Sequence, residues 1–147
     1  MQAYRIQKLI KMTTSKVVVV SGKRKSAIAR AAVRQGTGRI LINKRLLEHY
    51  EPKIARMKLE EPLLLAGDNA LKVDVEIDVN GGGVMGQAEA ARLALAKGIL
   101  AFTRDKKLEK TFLEYDRHLL VADVRRKEVR KPNRHGKARA AVQKSYR

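Results

Sequence analysis

The chain has 147 residues, in which 33 Lys and Arg stand against 15 Asp and Glu, giving a formal net charge of +18. This length suits one domain and is too short for the two halves with which a dinucleotide-dependent enzyme normally holds cofactor and substrate. The absence of Cys excludes disulfides, thiol nucleophiles and thiolate metal sites. So large a charge indicates a polyanionic partner, and nucleic acid is favoured over a membrane because no apolar run approaches the roughly 20 residues of a membrane span.

The first fifteen residues, MQAYRIQKLIKMTTS, are basic, contain no acids and have few large apolar side chains. A short amphipathic helix is compatible with them, but the composition favours an unstructured segment. We therefore expect a flexible basic leader over residues 1–15, a globular domain over 16–123 and an extended basic tail over 124–147.

The first part of the domain has the pattern of strands joined by turns. VVVVS and SAIARAAVRQ predict two strands around the basic turn GKRK. Gly36 and Gly38 bracket a second turn that leads into GRILIN, which predicts a hairpin and hence a three-stranded meander. Further on, Pro52 and Pro62 each mark the expected start of a short helix.

The alternation in LKVDVEIDVN is the clearest structural signal in the chain. Every second residue from Leu71 to Val79 is apolar, whereas the residues between them are polar or charged. This period of two predicts an antiparallel strand with one face on a core and one in water. Three acids share the wet face, Asp74, Glu76 and Asp78, and we expect them to pair with nearby cations. A catalytic or magnesium site would need a nucleophile, base or pocket that the sequence does not provide.

Glycines end this strand in the motif VNGGGVMGQ, where Gly81, Gly83 and Gly86 satisfy the G-x-G-x-x-G pattern of a dinucleotide-binding loop. The helix that follows has small and apolar residues on one face, namely Ala88, Ala91, Leu95, Ile99 and Phe102. A parallel dinucleotide-binding strand would be apolar on both faces. The fingerprint also needs a second parallel strand ending in an acid, where this chain has a polar helical run from about Asp105 to Tyr115. We therefore predict no cofactor.

Without a cofactor, the adjacent glycines Gly81, Gly82 and Gly83 leave two interpretations. Their bare backbone lets amide groups approach a phosphate or ribose at the N-terminus of the next helix, or they only make a tight turn. The three histidines have no paired or helical spacing, so no metal site is predicted, and we name no catalytic residue.

Three consecutive cations, Lys23, Arg24 and Lys25, crowd the first predicted turn. Adjacent like charges repel unless something neutralises them, which favours contact with phosphates over a merely solvated turn.

The tail from Val124 to Arg147 carries ten cations against one acid, Glu128, and so holds +9 of the net charge. Ordering its backbone costs on the order of 35 kcal/mol, whereas each buried Val returns only about 1.5 to 3. The tail therefore either stays disordered or orders along a polyanion, with binding that weakens as salt rises. Arg125 and Arg126 begin the tail and would set its exit direction by binding RNA, the alternative being packing against Glu128 or Asp123.

Several phrases together resemble the small-subunit ribosomal protein nine family. They cover the chain from about Lys16 to Arg147 in the family's order, and each is modest alone, but the set is highly specific. The phrases are SGKRKSAIARA, GRILIN, EPLLLAG, NGGGVMGQ with its strand, YDRHLLVADVRRKE, and the ending QKSYR. Their wording is similar to the archaeal type. The leader before Lys16 departs from the family pattern, and it is either an extra RNA contact or lies upstream of a true start at Met12.

The resemblance implies an α+β domain with a four-stranded, mainly antiparallel sheet backed by helices, seated on RNA in the head of the small ribosomal subunit. The resemblance also implies a cytoplasmic protein without catalytic activity. Its implied partners are small-subunit ribosomal RNA, peptidyl-site transfer RNA and neighbouring head proteins. Neither binding to a membrane nor formation of a homo-oligomer is implied. The family's tail tip approaches peptidyl-site transfer RNA, and here that tip is Lys144, Ser145, Tyr146 and Arg147. Bacterial members usually have a lysine where Tyr146 stands, so the role of the tyrosine is open between stacking on a nucleotide and packing.

The predicted ribosomal RNA contacts combine the basic turn, the glycines and the tail. They are Lys23, Arg24, Lys25, Gly81, Gly82, Gly83, Arg125, Arg126, Lys127, Arg130, Lys131, Arg134, Lys137 and Arg139. Two other classes of function compete with this prediction. A free-standing chromatin-type or chaperone-type binder would bind duplexes broadly, and a small nucleotide-using enzyme would bind nucleotides measurably.

Overall fold

Five strands and three α-helices build the part of the chain that the computed structural model describes, residues 16–132 and 136–139. The strands are β1 (Val18–Arg24), β2 (Ala27–Gln35), β3 (Ile40–Ile42), β4 (Arg45–Leu46) and β5 (Val73–Asn80). The helices are α1 (Lys53–Ala66), α2 (Val84–Thr103) and α3 (Lys106–Tyr115). Short 3-10 turns lie at Leu47–His49, Gly67–Lys72 and Arg117–Leu119.

The strands form one sheet in the order β1-β2-β5-β3-β4. Neighbouring strands are antiparallel except β3 and β5, which pair in parallel. The α+β class is confirmed, but the expectation of four mainly antiparallel strands is corrected to five strands in a mixed sheet. The strand predicted from its alternation is the central one, and it is antiparallel to β2 as expected.

The predicted meander is wrong because β5 lies between β2 and β3. The connection after β2 crosses the start of β5 and reaches β3 on its other side, so β2 and β3 do not form a hairpin. The Asp74 carboxylate accepts the N–H groups of Thr37 and Arg39 at 2.8 and 2.9 Å, and Gly36 donates to the Lys72 carbonyl at 3.0 Å. The hydrogen bonds from the N–H groups of Arg39 and Thr37 lower the pKa of the Asp74 carboxyl. The glycines therefore mark a crossover, whose long-range partner cannot be recognised from local turn signals.

One face of the sheet is buried under the helices. The inward residues of β2 and β5 are Ala27, Ala29, Ala31, Val33, Val73, Val75, Ile77 and Val79. α2 packs across β1, β2 and β5, with Ala88, Ala91, Leu95 and Ile99 buried as predicted. On the other face, Glu76 pairs with Arg34 at 3.0 Å, so this acid meets a cation as expected.

The prolines behave differently from each other. Pro52 directly precedes α1, as predicted, but Pro62 lies inside that helix and starts no second one. Proline at an interior position lacks the N–H for the carbonyl four residues earlier. Its ring is fully buried in the core, and this burial offsets the missing hydrogen bond.

The two ends of the chain were predicted as leader and tail. Residues 1–15 lie outside the described part. The described tail residues, 124–132 and 136–139, contain neither helix nor strand and are almost all exposed. None of the described helices is both long and apolar enough to cross a membrane.

Candidate nucleic-acid interface

The triple-glycine loop and the basic turn between β1 and β2 meet at one end of the sheet. A Cβ on Gly81 would lie 2.7 Å from the carbonyl oxygen of Ser26, and one on Gly82 would lie 3.0 Å from the Cβ of Ala27. Both glycines have positive φ, 77° and 70°. The close packing and the backbone angles explain two of the three glycines, while Gly83 has open space around it and a negative φ of −99°.

Gly83 is the N-cap of the 20-residue helix α2, and no side chain among the described residues caps that end. The first amide groups of a helix have no partner within the helix, and they carry the positive end of its dipole. Gly83 is exposed, so these amides are open to an anion. The structure thus places uncapped amides directly beside the basic turn.

The predicted turn is shifted, because Lys23 and Arg24 are the last two residues of β1 and only Lys25 lies in the two-residue turn. Side chains alternate between the faces of a strand, so Arg24 lies on the helix-covered face and Lys23 on the other, while Lys25 is exposed in the turn itself. Arg24 pairs with Glu89 of α2 through Nε and with Asp123 through Nη1. The repulsion expected among three cations is therefore relieved for Arg24 by two carboxylates of this chain.

These contacts form a clasp, which we define as Lys58, Glu89, Arg24, Asp123 and Arg125. Lys58 Nζ lies 3.0 Å from Glu89 Oε1, and Arg125 Nη2 lies 2.8 Å from Asp123 Oδ2. The clasp joins α1, α2, the end of β1 and the first residues of the tail. It fixes the point at which the tail leaves the domain.

Both acids of the clasp are held in their charged form. Burial raises the pKa of the Glu89 carboxyl, but hydrogen bonds from Arg24 and Lys58 outweigh it and leave the pKa lowered. The side-chain hydrogen bond of Arg125, helped by its backbone N–H, holds the pKa of Asp123 far below its usual value. Arg125 thus packs against Asp123, the alternative to RNA binding considered above, although its side chain is 78% exposed.

Sequence reasoning missed Glu89, Lys58 and the pairing of Asp123 with Arg24. Arg24 and Asp123 are 99 positions apart, so no local spacing reveals their contact. The one available signal is an acid placed directly before the basic tail, since Asp123 is followed within three residues by Arg125 and Arg126.

The described tail cations are exposed, and they are Arg125, Arg126, Lys127, Arg130, Lys131, Lys137 and Arg139. Arg139 pairs with Glu128, and the Lys131 N–H donates to the Lys137 carbonyl at 3.3 Å. The remaining predicted tail residues lie outside the described residues, namely Arg134, Lys144, Ser145, Tyr146 and Arg147. Among the residues that are described, no group of three or more His, Cys, Asp or Glu could hold a metal ion.

Replacing Arg24 by Gln is expected to lower Tm by roughly 3 to 6 °C at pH 7, since two partly buried carboxylates lose their shared cation. Arg24 helps to lower the folded-state pKa of Glu89, together with Lys58, and adds to the lowering of the Asp123 pKa that comes mainly from Arg125, so its stabilisation is present above the ordinary carboxyl pKa and is lost as pH falls through the lowered values. The difference from the parent should therefore be full above about pH 5 and shrink in stronger acid. Thermal unfolding of both proteins between pH 2 and 7 measures it.

Lys25→Gln is the matched control, because it removes one charge from the same turn at an exposed position. It should leave the pH dependence of Tm unchanged. A difference for Arg24→Gln that stayed constant across the whole pH range would contradict a role through these carboxylates.

Comparison with known proteins gives one family. A family model described as ribosomal protein S9/S16 matches residues 22–147. A protein named small ribosomal subunit protein uS9 from Methanococcus maripaludis strain C7 is 53% identical over 133 residues, which cover 90% of this chain and 99% of that protein. A protein of the same name from Methanothrix thermoacetophila is 55% identical over 132 residues, with the same coverage of both.

Proposed function

The chain belongs to the ribosomal protein S9/S16 family, and from that premise we propose that it is a structural protein of the small ribosomal subunit that binds ribosomal RNA in the head and touches peptidyl-site transfer RNA. The family is a structural component of the ribosome and not an enzyme, which agrees with the prediction from the sequence. The two relatives reported above are archaeal, as the wording of the motifs in this chain indicated.

The observation that carries the RNA proposal is the meeting of three features at one end of the sheet. They are exposed Lys25 in the turn, Lys23 near the end of β1, and the uncapped amides at the start of α2, which follow glycines that pack against Ser26 and Ala27 beside that turn. Cationic side chains and oriented amides are the groups that bind phosphate oxygens, and they position a protein on RNA without reading its sequence. RNA shape then supplies specificity.

Within this site, Arg24 has a different role from its neighbours. Its side chain is 20% exposed and its guanidinium is shared between Glu89 and Asp123, so its main contribution is to hold the turn, α2 and the tail base together. Lys23 and Lys25 are the phosphate contacts of the turn. Gly81 and Gly82 bring the amides that follow Gly83 up to them.

The tail supplies the rest of the affinity for ribosomal RNA and extends from the domain to the transfer RNA. Its cations make it bind along ribosomal RNA, with Arg126, Lys127, Arg130, Lys131, Arg134, Lys137 and Arg139 as contacts. Beyond these, Lys144, Ser145, Tyr146 and Arg147 contact peptidyl-site transfer RNA. The protein then works in the cytoplasm, within the ribosome, beside neighbouring head proteins and as a single copy.

Deleting residues 144–147 tests both halves of the proposal. The domain and eight of the ten tail cations remain, so the shortened protein should stay with small subunits through a high-salt wash, while transfer RNA should dissociate faster from the peptidyl site. Sedimentation of washed subunits and filter binding of transfer RNA measure the two effects.

The full-length chain carried through the same steps is the reference. Recovery of the full-length protein only in the unbound fraction would overturn the ribosomal proposal and favour a free-standing nucleic-acid binder. Loss of incorporation by the shortened protein alone would instead refute the division of labour between domain and tip.

A further inference from the structure

Two lysines occupy backbone conformations that favour glycine, and both lie at the same end of the sheet. Lys25 has φ 53° in the two-residue turn between β1 and β2, and Lys44 has φ 66° in the two-residue turn between β3 and β4. Positive φ is uncommon in residues with a Cβ, because the side chain then crowds the backbone. Glycine would make either turn with less strain, so each lysine keeps its ammonium group there at a cost to the backbone.

The turn between β3 and β4 is fixed to the end of β5. Asn43 and Lys44 both have positive φ, as in the type I′ hairpin turn whose preferred sequence is Asn-Gly. Asn43 Oδ1 accepts the N–H of Val79 at 2.8 Å, and its Nδ2 donates to the Val79 carbonyl at 3.3 Å. Lys44 therefore stands at the position where this turn prefers glycine, and the hydrogen bonds of Asn43 hold the turn against β5.

The two turns flank the triple-glycine loop. In the strand order their centres are three strand spacings apart, about 14 Å, and β5 runs into Gly81 between them. Lys25, Lys44 and Arg45 are all exposed. Within the described part of the chain, none of these three cations belongs to an ion pair.

We propose that Lys44 and Arg45 are ribosomal RNA contacts, and that one stretch of RNA backbone runs from Lys25 across the triple-glycine loop to this second turn. The inference rests on the proposed function and extends its site to a hairpin that the sequence did not single out. Unpaired cations on either side of open amides fit a row of phosphates, because each element binds the same kind of oxygen. A protein partner would need carboxylates spaced to match all three turns.

The test compares two double variants of the full chain that lose the same charge. Lys44→Gln with Arg45→Gln removes the proposed contacts, while Lys106→Gln with Lys107→Gln removes two exposed cations at the start of α3, beyond the far end of the 20-residue helix α2. The probe is small-subunit ribosomal RNA of Methanococcus maripaludis, bound over a range of salt concentrations. The first variant should reduce the slope of log K against log salt by about 1.4 to 1.8, since each lost phosphate contact changes it by roughly 0.7 to 0.9. The second should leave the slope unchanged.

The single variant Lys44→Gly separates binding from folding. It relieves the strained backbone, so Tm should equal or exceed that of the parent, while the RNA affinity should fall about five-fold to ten-fold at 0.1 M salt. Parent-like affinity of Lys44→Gly, or equal slope changes in the two double variants, would overturn the inference and leave the proposed function standing. A full-length chain that did not bind this RNA at all would overturn both.

Discussion

A chain ending at Asp123 is expected to lose at least about 10³-fold in affinity for small-subunit ribosomal RNA at 0.1 M salt while remaining folded. The deletion removes ten cations and one acid. If only half of those cations meet phosphates, the salt dependence falls by about four log units per log unit of salt, and most of the electrostatic affinity goes with it. Folding should survive, because the buried apolar cluster lies between Ala27 and Leu119.

A full-length variant with all ten tail cations replaced by Gln distinguishes charge from length. Both proteins should show the same loss of affinity and salt dependence, with Tm close to that of the parent, as measured by filter binding and thermal unfolding. Strong RNA binding by the glutamine variant would mean that shape or stacking in the tail, and not its charge, supplies the affinity. A large fall in Tm for the truncated chain would show that the tail stabilises the domain.

The sequence predicted those parts of the fold that local patterns determine. The alternation from Leu71 to Val79 predicted β5, and the small-residue face after the glycines predicted α2, because the periods of two and 3.6 act on each element separately. The hairpin after β2 failed for the opposite reason. β5 enters the sheet between β2 and β3, and Asp74 at its start accepts a hydrogen bond from Thr37, 37 positions away in the connection between those two strands.

The residues of the candidate site likewise divide into those that local sequence features predict and those that only the folded structure shows. Charge and glycine content pointed to the basic turn, the triple-glycine loop and the tail without any tertiary information. The role of Arg24 was hidden, because a run of three cations reads as one group until the strand's alternation directs one of them towards Glu89 and Asp123. Lys44 was hidden as well, since only the backbone angle distinguishes it from any other surface lysine.

The clasp gives the tail a defined origin. Arg24 lies directly before the turn that holds Lys25, and it also binds Asp123 at the base of the tail. Both regions that we propose to bind phosphate are therefore attached to one short segment of β1. A change in the position of β1 against α2 would displace the turn, the triple-glycine loop and the tail together.

Gly22 in β1 is the position at which that arrangement is most sensitive. A Cβ there would lie 2.2 Å from the carbonyl oxygen of Ala90 and 2.8 Å from the amide nitrogen of Ala94, both in the backbone of α2. Backbone atoms cannot rotate away as a side chain does, so the helix has to move. We expect Gly22→Ala to lower the free energy of unfolding by about 3 kcal/mol and Tm by roughly 10 °C.

Intrinsic preference predicts the opposite sign, which makes the experiment decisive. Alanine is favoured over glycine within a strand because glycine loses more backbone freedom on folding, so without the contact to α2 the substitution would be neutral or stabilising. Gly83→Ala is the matched control, since a Cβ at Gly83 meets nothing within 4 Å and its φ is negative. Thermal unfolding should therefore separate the two alanine variants by nearly the whole 10 °C, and a parent-like Tm for Gly22→Ala would show that α2 does not approach β1 this closely.

If α2 does approach as described, the weakened variant should also bind small-subunit RNA less tightly while still folded, because the displaced helix carries Glu89 and the amides that follow Gly83 away from the basic turn.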